Sequence, residues 1–315
     1  MAALDPYLPP EARDARLRAL AEGLGGEVVS YGESVEGRPL LAARVPARTP
    51  DAPAVLCAAA IHGLEAVASH VALAFLEALG AGPAAVLREV AEVWVAPALN
   101  PDAQARTFEA LGRGKVADLR KNARGVDLNR NFPLPGDATP SRIPFAGSAR
   151  RTAATYRGPV PFSEPETRAI EALLARGKFH AVASLHSTMG TFIPARVVDP
   201  EPFDAYARLH RALAGAQRFP YRLLHSRTFD VFTGELEDHA HHHHRAWAAC
   251  VEVYPLWADV ATRLGATAFW RFNPRRPDVW VANDVPALAA YFRAALALPR
   301  PEGAHRGGAH RSGGV

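Results

Sequence analysis

Hydrophobic and polar positions along this chain follow two patterns, one typical of helices and one typical of buried strands. Helices are predicted at residues 11–22, 64–79, 163–176, 201–215 and 284–297. Apolar runs predict a pair of strands across residues 27–45, joined by a turn at 36–39, and single strands at 54–61, 91–101, 180–187 and 247–254. Strands and helices alternate, which favours an α/β fold with a buried central sheet.

The segment from residue 102 to about 160 lacks this periodicity and is rich in Pro, Gly, Arg and Asn. A stretch of this length without regular elements is usually functional. A helix is predicted to follow it, because Ser163-Glu164-Pro165-Glu166 has the spacing of a capping box. We find no internal repeat. We therefore expect a single domain at residues 1–298 and a disordered, Gly-rich tail at 299–315.

Composition narrows the classes of protein that fit the chain. Of its 315 residues 49% are hydrophobic, enough to bury a large core. The formal charge of +4 suits an anionic substrate, but no basic stripe is interleaved with aromatics, so nucleic acid is not an expected partner. We see neither a signal peptide nor a run near the ~18 apolar residues of a membrane span, so we expect a cytoplasmic protein without a membrane partner. Cys57 and Cys250 lie in apolar strands and are expected to be buried, reduced thiols.

Two histidines and one glutamate lie at the ends of predicted strands, where open α/β sheets usually bind ligands. His62 and Glu65 form an H-x-x-E pair directly after the strand at 54–61, and Gly63 between them allows a tight turn. His186 ends a separate apolar strand. Catalytic zinc takes three protein ligands and keeps one position open for water. These three side chains are therefore candidate zinc ligands, although each histidine could instead be a hydrogen-bonded core residue.

A polar loop at 119–132, LRKNARGVDLNRNF, contains four cations and three asparagines. A run of charge is usually a solvated face. Here the arginines alternate with Asn, Gly and Asp and precede Phe132, which favours a folded polar network. Arginine binds carboxylates through paired hydrogen bonds, and a neighbouring Asn can add a donor. The loop is a candidate anion-binding site, and one of its arginines could equally stabilise an oxyanion.

Glu252 is an acidic residue inside the apolar strand at 247–254. Unpaired carboxylates are rarely buried in a sheet, so this residue needs a partner or a function. A salt bridge is one explanation. A general base is the other, because metal-assisted hydrolysis requires a carboxylate that takes a proton from water. The local sequence favours neither.

These segments occur in the order found in the zinc carboxypeptidase family. HGLE is followed by Asn100-Pro101-Asp102, then RKNARGVDLNRNFP, SEPET, SLHS and the glutamate of CVEVYP. The match extends from about residue 7 to 295, and DLNRNFP with an upstream HGxE is a specific combination. The chain therefore resembles this family, typified by pancreatic carboxypeptidases A and B, and especially its bacterial branch that contains the murein peptide amidases.

The resemblance implies a fold, a cofactor and a set of roles. The fold is an α/β architecture with a mixed, twisted β-sheet and helices on both faces. The cofactor is one Zn²⁺ ion per chain. Seven positions match functional residues of the family: the zinc ligands His62, Glu65 and His186, the general base Glu252, Arg120 at the scissile carbonyl, and Asn129 and Arg130 at the substrate's terminal carboxylate.

Two positions depart from the family pattern or stay open. The family often has a tyrosine in a mobile loop before the base, and Phe229 stands at that place. The position that selects the terminal side chain of the substrate falls on Leu236 or Glu237, depending on where one gap is placed when the chain is matched to the family pattern. Leu236 would favour apolar terminal residues, and Glu237 would favour basic or amine-bearing ones.

A histidine run, His239-Ala240-His241-His242-His243-His244, precedes the strand of Glu252. One interpretation is a second metal site or a set of substrate-binding donors near the specificity pocket. The other, which we favour, is a polar loop that leads into the strand. His239 stands where related chains often have an aromatic residue, so it could line the pocket.

Three functions fit the sequence. The leading hypothesis is a zinc-dependent metallocarboxypeptidase or peptide amidase that acts on a peptide or small amide with a free carboxylate, with murein-type peptides as a candidate class. The second is an N-acyl amino acid deacylase of the aspartoacylase or succinylglutamate desuccinylase type, which shares HGxE, DLNR and a motif close to LHST, although SEPET and NARGVDLNRNFP favour the peptidase. The third is a non-catalytic zinc-binding module, which the presence of every ligand and the base disfavours. The oligomeric state stays open.

Overall fold

The computed structural model describes residues 4–136, 138–139, 146–225 and 233–302. The strands in these ranges form one sheet and are β1 (Glu27–Glu33), β2 (Pro39–Val45), β3 (Ala54–Ala59), β4 (Glu92–Ala96), β5 (Ala181–Ser187), β6 (Thr191–Pro194), β7 (Arg222–Leu223) and β8 (Trp247–Val253). The helices are α1 (Pro10–Gly23), α2 (Ala66–Glu77), α3 (Leu87–Val90), α4 (Pro101–Glu109), α5 (Val116–Arg120), α6 (Pro165–Gly177), α7 (Pro200–Gly215), α8 (Leu236–His244), α9 (Val260–Arg263), α10 (Ala268–Phe272) and α11 (Pro277–Leu296).

The sheet is mixed, with parallel strands at its centre. Its order is β1-β2-β4-β3-β5-β8-β6-β7. Strands β4, β3, β5 and β8 run parallel to one another, whereas β2 pairs antiparallel with β4 on one side and β6 pairs antiparallel with β8 on the other. The carboxyl ends of β3, β5 and β8 therefore meet at one edge of the sheet, where ligands bind in open α/β folds.

Successive side chains of the central strands enter two separate cores. Val55, Cys57 and Ala59 of β3 belong to a core that includes residues of α2, α7 and α11. Leu56 of the same strand belongs to a second core, with residues of α6 and α8. Helices therefore cover both faces, which confirms the expected α/β fold with a mixed sheet. Cys57 and Cys250 are buried free thiols, as expected.

The polar segment after residue 101 contains α4 and α5, which periodicity did not predict. Asn100 does not end a strand, because β4 ends earlier; its side chain caps α4 and accepts a hydrogen bond from the amide of Ala103 at 3.2 Å. Half of the residues that α4 buries are polar, namely Asp102, Gln104 and Thr107. A helix that buries polar groups lacks the apolar periodicity on which the prediction depended.

Other boundaries also differ from the predictions. Strands β6 and β7 were missed, because four and two residues are too few to show a pattern. Helix α11 begins at Pro277 rather than 284 and continues through Pro286. The predicted capping box is wrong, because Glu164 is the N-cap residue of α6 and the hydroxyl of Ser163 donates to the carboxylate of Glu164 at 2.8 Å.

Two predictions concern residues outside the described ranges. The tail predicted to be disordered lies outside them from residue 303 onward, and so does Phe229. Among the described residues, none of the helices combines the length and the apolar composition of a membrane span.

Candidate metal centre and active site

The three candidate metal ligands converge where the central strands end. Nδ1 of His62 lies 2.9 Å from Oε1 of Glu65 and 3.2 Å from Nδ1 of His186. Oε2 of Glu65 lies 3.3 Å from the same His186 nitrogen. All three side chains are buried, and one potential ligand atom from each lies within 4.8 Å of the others. The structure thus brings together the two histidines and the glutamate that the sequence singled out.

The chemistry of this group suits a zinc ion. Two imidazole nitrogens and one carboxylate oxygen are a common donor set of catalytic zinc. Burial alone would raise the pKa of Glu65, but the charges and hydrogen bonds of His62 and His186 lower it to about 2. Glu65 is therefore a buried anion at neutral pH, between two imidazoles that can also bind a cation. The residues present fit the metal that the resemblance implies.

The H-x-x-E turn is held by close packing against distant segments. A side chain at Gly63 would lie 2.3 Å from the backbone of Ala103 in α4, so only glycine fits there. On the other side, the amide of Asn273 binds the backbone on either side of Glu65, donating to one carbonyl and accepting from one N–H, both at 2.7 Å. Gly63 is therefore needed because α4 packs directly against the turn. Asn273 was missed because nothing in the local sequence connects it to a turn more than 200 residues away.

Asp127 links the metal centre to the polar loop. Its Oδ1 lies 3.2 Å from Nε2 of His62, and its Oδ2 accepts from Nε of Arg120 at 3.0 Å. Burial raises the pKa of this carboxyl, but Arg120 and His62 lower it by more, so the pKa lies well below its ordinary value. A carboxylate that accepts from Nε2 leaves Nδ1 of His62 available as a ligand for a metal. Asp127 has no role among the predictions from sequence, although its place in the DLNR motif was a usable signal.

Replacing Asp127 with Asn should weaken zinc binding about 10–100-fold. The amide removes the negative charge that orients His62 and pairs with Arg120. Zinc affinity measured by competition with a chelator tests this expectation. The matched control is Asp118→Asn, which neutralises an exposed acid of the preceding helix α5 and should leave the affinity unchanged. An Asp127→Asn variant with wild-type affinity would contradict the orienting role.

Buried asparagines fold the polar loop against the site. Asn100 Nδ2 donates to the carbonyl of Arg120 at 3.3 Å and to the carbonyl of the residue before the H-x-x-E pair at 3.1 Å. Asn122 Nδ2 donates to the carboxylates of Glu164 and Glu166 at 2.8 and 3.1 Å. The loop is thus a folded polar network, as its sequence indicated. The acids of the SEPET segment anchor it.

Asn129 and Arg130 lie beside the start of α8. Oδ1 of Asn129 accepts from the amide of Leu236 at 2.9 Å. Arg130 forms an ion pair with Glu235 at 2.9 Å and, with Phe132, lines a cavity of about 400 Å³. The two residues that would bind the substrate's carboxylate are therefore next to the segment that contains both candidate specificity positions.

Glu252 lies next to His186 across the sheet. Strands β5 and β8 pair in parallel, with His186 opposite Glu252. Oε2 of Glu252 is buried without a hydrogen-bond partner among the described residues. Burial, together with the nearby carboxylate of Glu65, raises the pKa of Glu252 to about 8. A carboxyl whose buried oxygen is not engaged by a structural partner has the chemistry of a general base.

The two candidate specificity positions have different surroundings. Leu236 is fully buried in the core shared by α6 and α8. A carboxylate oxygen of Glu237 lies within 4.8 Å of potential ligand atoms of His186 and Cys250. Both carboxylate oxygens of Glu237 are buried without a hydrogen-bond partner in the part of the chain that the structure describes. Burial and then Glu235 raise the pKa of Glu237 well above its ordinary value.

The histidine run forms most of α8, so the favoured interpretation of a polar loop is wrong. Leu236 and Ala240, one turn apart, pack into the core and anchor the helix. His239 and His244 both contact the carboxylate of Glu171 in α6. The run is therefore part of a helix–helix contact beside the site.

Comparisons with known proteins agree with this geometry. A model described as zinc carboxypeptidase matches residues 26–254, which include the three candidate zinc ligands, Glu252 and the polar loop. Human carboxypeptidase D is 29% identical over 254 residues, covering 69% of this chain and 17% of that protein, so the chain spans about a sixth of that relative. Carboxypeptidase A from Helicoverpa armigera aligns with a TM-score of 0.70 and 21% identity, covering 92% of this chain and 74% of its own. Bovine thrombin-activatable fibrinolysis inhibitor aligns with a TM-score of 0.71 and 19% identity, covering 92% of this chain and 97% of its own.

Proposed function

The chain belongs to the zinc carboxypeptidase family, and we propose that it is a zinc-dependent metallocarboxypeptidase or peptide amidase. It would hydrolyse a peptide bond next to a free carboxylate. One observation supports the proposal above the others. His62, Glu65 and His186 meet at the end of the central strands, and Glu252 stands opposite His186 in the adjacent strand.

Zinc bound at this site would acidify a water molecule and polarise the scissile carbonyl. Glu252 would accept the proton of the attacking water and then pass it to the leaving amine. In the zinc-free protein burial and Glu65 raise the pKa of Glu252 to about 8, so its carboxyl keeps a proton more readily than an exposed glutamate does. A group that accepts one proton and later donates it works best with a pKa raised towards neutrality.

The polar loop would bind the scissile carbonyl and the terminal carboxylate of the substrate. Arg120 is oriented by the bond from its Nε to Asp127, and its terminal nitrogens would donate to the carbonyl oxygen as negative charge develops. Arg130 would exchange its ion pair with Glu235 for the substrate's terminal carboxylate. Asn129 would add a donor, because its oxygen already accepts a hydrogen bond and its NH₂ group can turn to the substrate.

The surroundings of Glu237 favour a narrower class of substrates, namely peptides whose terminal residue is basic. Burial and Glu235 raise the pKa of Glu237, so its carboxyl favours the neutral form when no cation is near. A cationic group placed beside it would favour the ionised carboxylate and pair with it. We therefore expect terminal residues that carry an amine or guanidinium, such as lysine, arginine or the diaminopimelate of murein peptides. Leu236 would not contact the terminal side chain, because it packs inside the core.

A substrate panel tests the proposal. Zinc-loaded protein is incubated with peptides that end in lysine, arginine or leucine, with a murein tripeptide and with N-acyl amino acids, and products are identified by mass spectrometry. We expect release of the terminal residue, fastest where it carries an amine. Cleavage of the N-acyl amino acids alone would replace the proposal with the deacylase alternative. No cleavage of any compound by fully zinc-loaded protein would favour the non-catalytic module.

A further inference from the structure

A second cluster of potential metal ligands lies between α6 and α8 and shares no residue with the site above. It consists of Glu171 from α6 and of His239 and His244 from α8. Nε2 of His239 lies 2.5 Å from Oε2 of Glu171, and Nε2 of His244 lies 2.8 Å from the same oxygen. One potential ligand atom from each residue lies within 4.8 Å of the others.

The donor types and their exposure suit a small divalent ion. Two imidazoles and one carboxylate form a donor set that zinc prefers and that other late transition metals also accept. The side chain of Glu171 is 35% exposed, whereas that of His239 is 3% exposed. The carboxylate can therefore move outward to admit an ion while the histidines stay in place. The exposed His243, with its ring 4.5 Å from that of His239, or a water molecule could complete the coordination.

The surroundings favour metal binding by the two histidines. The ring of His239 packs against Phe132 and Phe162, with centroid distances of 5.5 and 5.2 Å. His244 is the last residue of α8, where the terminal carbonyl groups carry partial negative charge and favour a cation. Donors that are already ordered lose little conformational entropy on binding.

We propose that Glu171, His239 and His244 bind a second divalent transition-metal ion, with zinc as the preferred metal, which fastens α8 to α6. Helix α8 begins at Leu236 and contains Glu237 in its first turn. The ion would therefore brace the helix that presents Glu237 to the catalytic site. This binding is independent of the proposed hydrolysis.

Metal content of the full-length protein is the direct test. After removal of all metal and equilibration with zinc, the wild-type protein should contain about two zinc ions per chain by mass spectrometry, because each site supplies three ligands. Glu171→Gln and His244→Asn should each contain about one, because each removes a ligand of the second site. The matched control is His242→Asn, which removes another histidine of α8 whose Nε2 donates to the carbonyl of Arg196 at 2.8 Å, and it should keep both ions.

A variant of the catalytic site separates the two sites. His186→Ala should retain the second ion, and added zinc should raise its thermal midpoint by about 5 °C at a hundredfold excess over the dissociation constant. His186→Ala combined with Glu171→Gln should bind none and show no rise. A wild-type chain with a single ion that His186→Ala loses would overturn the second site. Two ions retained in both Glu171→Gln and His244→Asn would overturn the ligand assignment. Neither outcome depends on hydrolytic activity.

Discussion

Replacing Glu252 with Gln should abolish hydrolysis while zinc stays bound and the fold stays intact. Glutamine keeps the shape of the side chain but cannot accept the proton of the attacking water. Because a positioned general base contributes up to about 10⁴-fold, we expect kcat to fall by about 10³-fold or more. The measurements are kcat on the best substrate of the panel and the zinc content of the same preparation.

A control for this substitution is Asp284→Asn. It neutralises another buried acid, in α11, whose carboxylate accepts hydrogen bonds from Gln217 and Tyr221 at 2.9 and 2.7 Å. We expect this variant to keep its activity, since Asp284 is not among the residues that the site brings together. Substantial turnover by Glu252→Gln, with zinc still bound, would exclude Glu252 as the base.

The Glu252→Gln variant should also lose part of the pH dependence of stability in the zinc-free protein. The pKa of Glu252 rises from an ordinary 4.5 to about 8 on folding, chiefly because of burial. The folded protein thus keeps a proton that the unfolded chain releases, and the stability from this group is complete below about pH 4.5 and is lost as the pH rises through 8. The loss is about 1.4 kcal/mol per pH unit within that window. Urea midpoints should therefore fall with pH more steeply in wild type than in the variant.

The convergence of the three candidate zinc ligands could be predicted because its signals are local. His62 and Glu65 are three positions apart directly after an apolar strand, and His186 ends another such strand. The parallel centre of the sheet then places these strand ends at one edge. Asn273 could not be found in this way, because its bonds to the H-x-x-E turn connect segments far apart in sequence.

Helix α8 shows a second limit of sequence reasoning. Its apolar residues in the core are Leu236 and Ala240, and the other side chains that it buries are polar, among them His239 and His241. Apolar periodicity therefore does not reveal the helix, which depends on tertiary contacts. Each residue of a helix turns the side chain by about 100°. A shift of one residue in the match to the family pattern therefore changes whether Leu236 or Glu237 is assigned to the site. The sequence alone could not fix that match.

Replacing Glu237 with Gln should reverse the preference between basic and apolar terminal residues. An incoming ammonium would be buried without its counter-charge, and removal of one partner from a buried pair costs about 2–5 kcal/mol. We expect kcat/KM for a lysine-terminated peptide to fall about 100-fold or more, since each 1.4 kcal/mol is a factor of ten. For a leucine-terminated peptide kcat/KM should stay level or rise, because no buried charge must then be left unpaired.

The ratio of the two kcat/KM values isolates the role of Glu237 from any general loss of activity. Leu236→Met is the matched control, because it conserves volume at the neighbouring core position and should leave the ratio unchanged. If Glu237→Gln lowered both values equally, the side chain would serve the fold of α8 rather than substrate choice. If Leu236→Met changed the ratio and Glu237→Gln did not, Leu236 rather than Glu237 would be the position that selects the terminal residue.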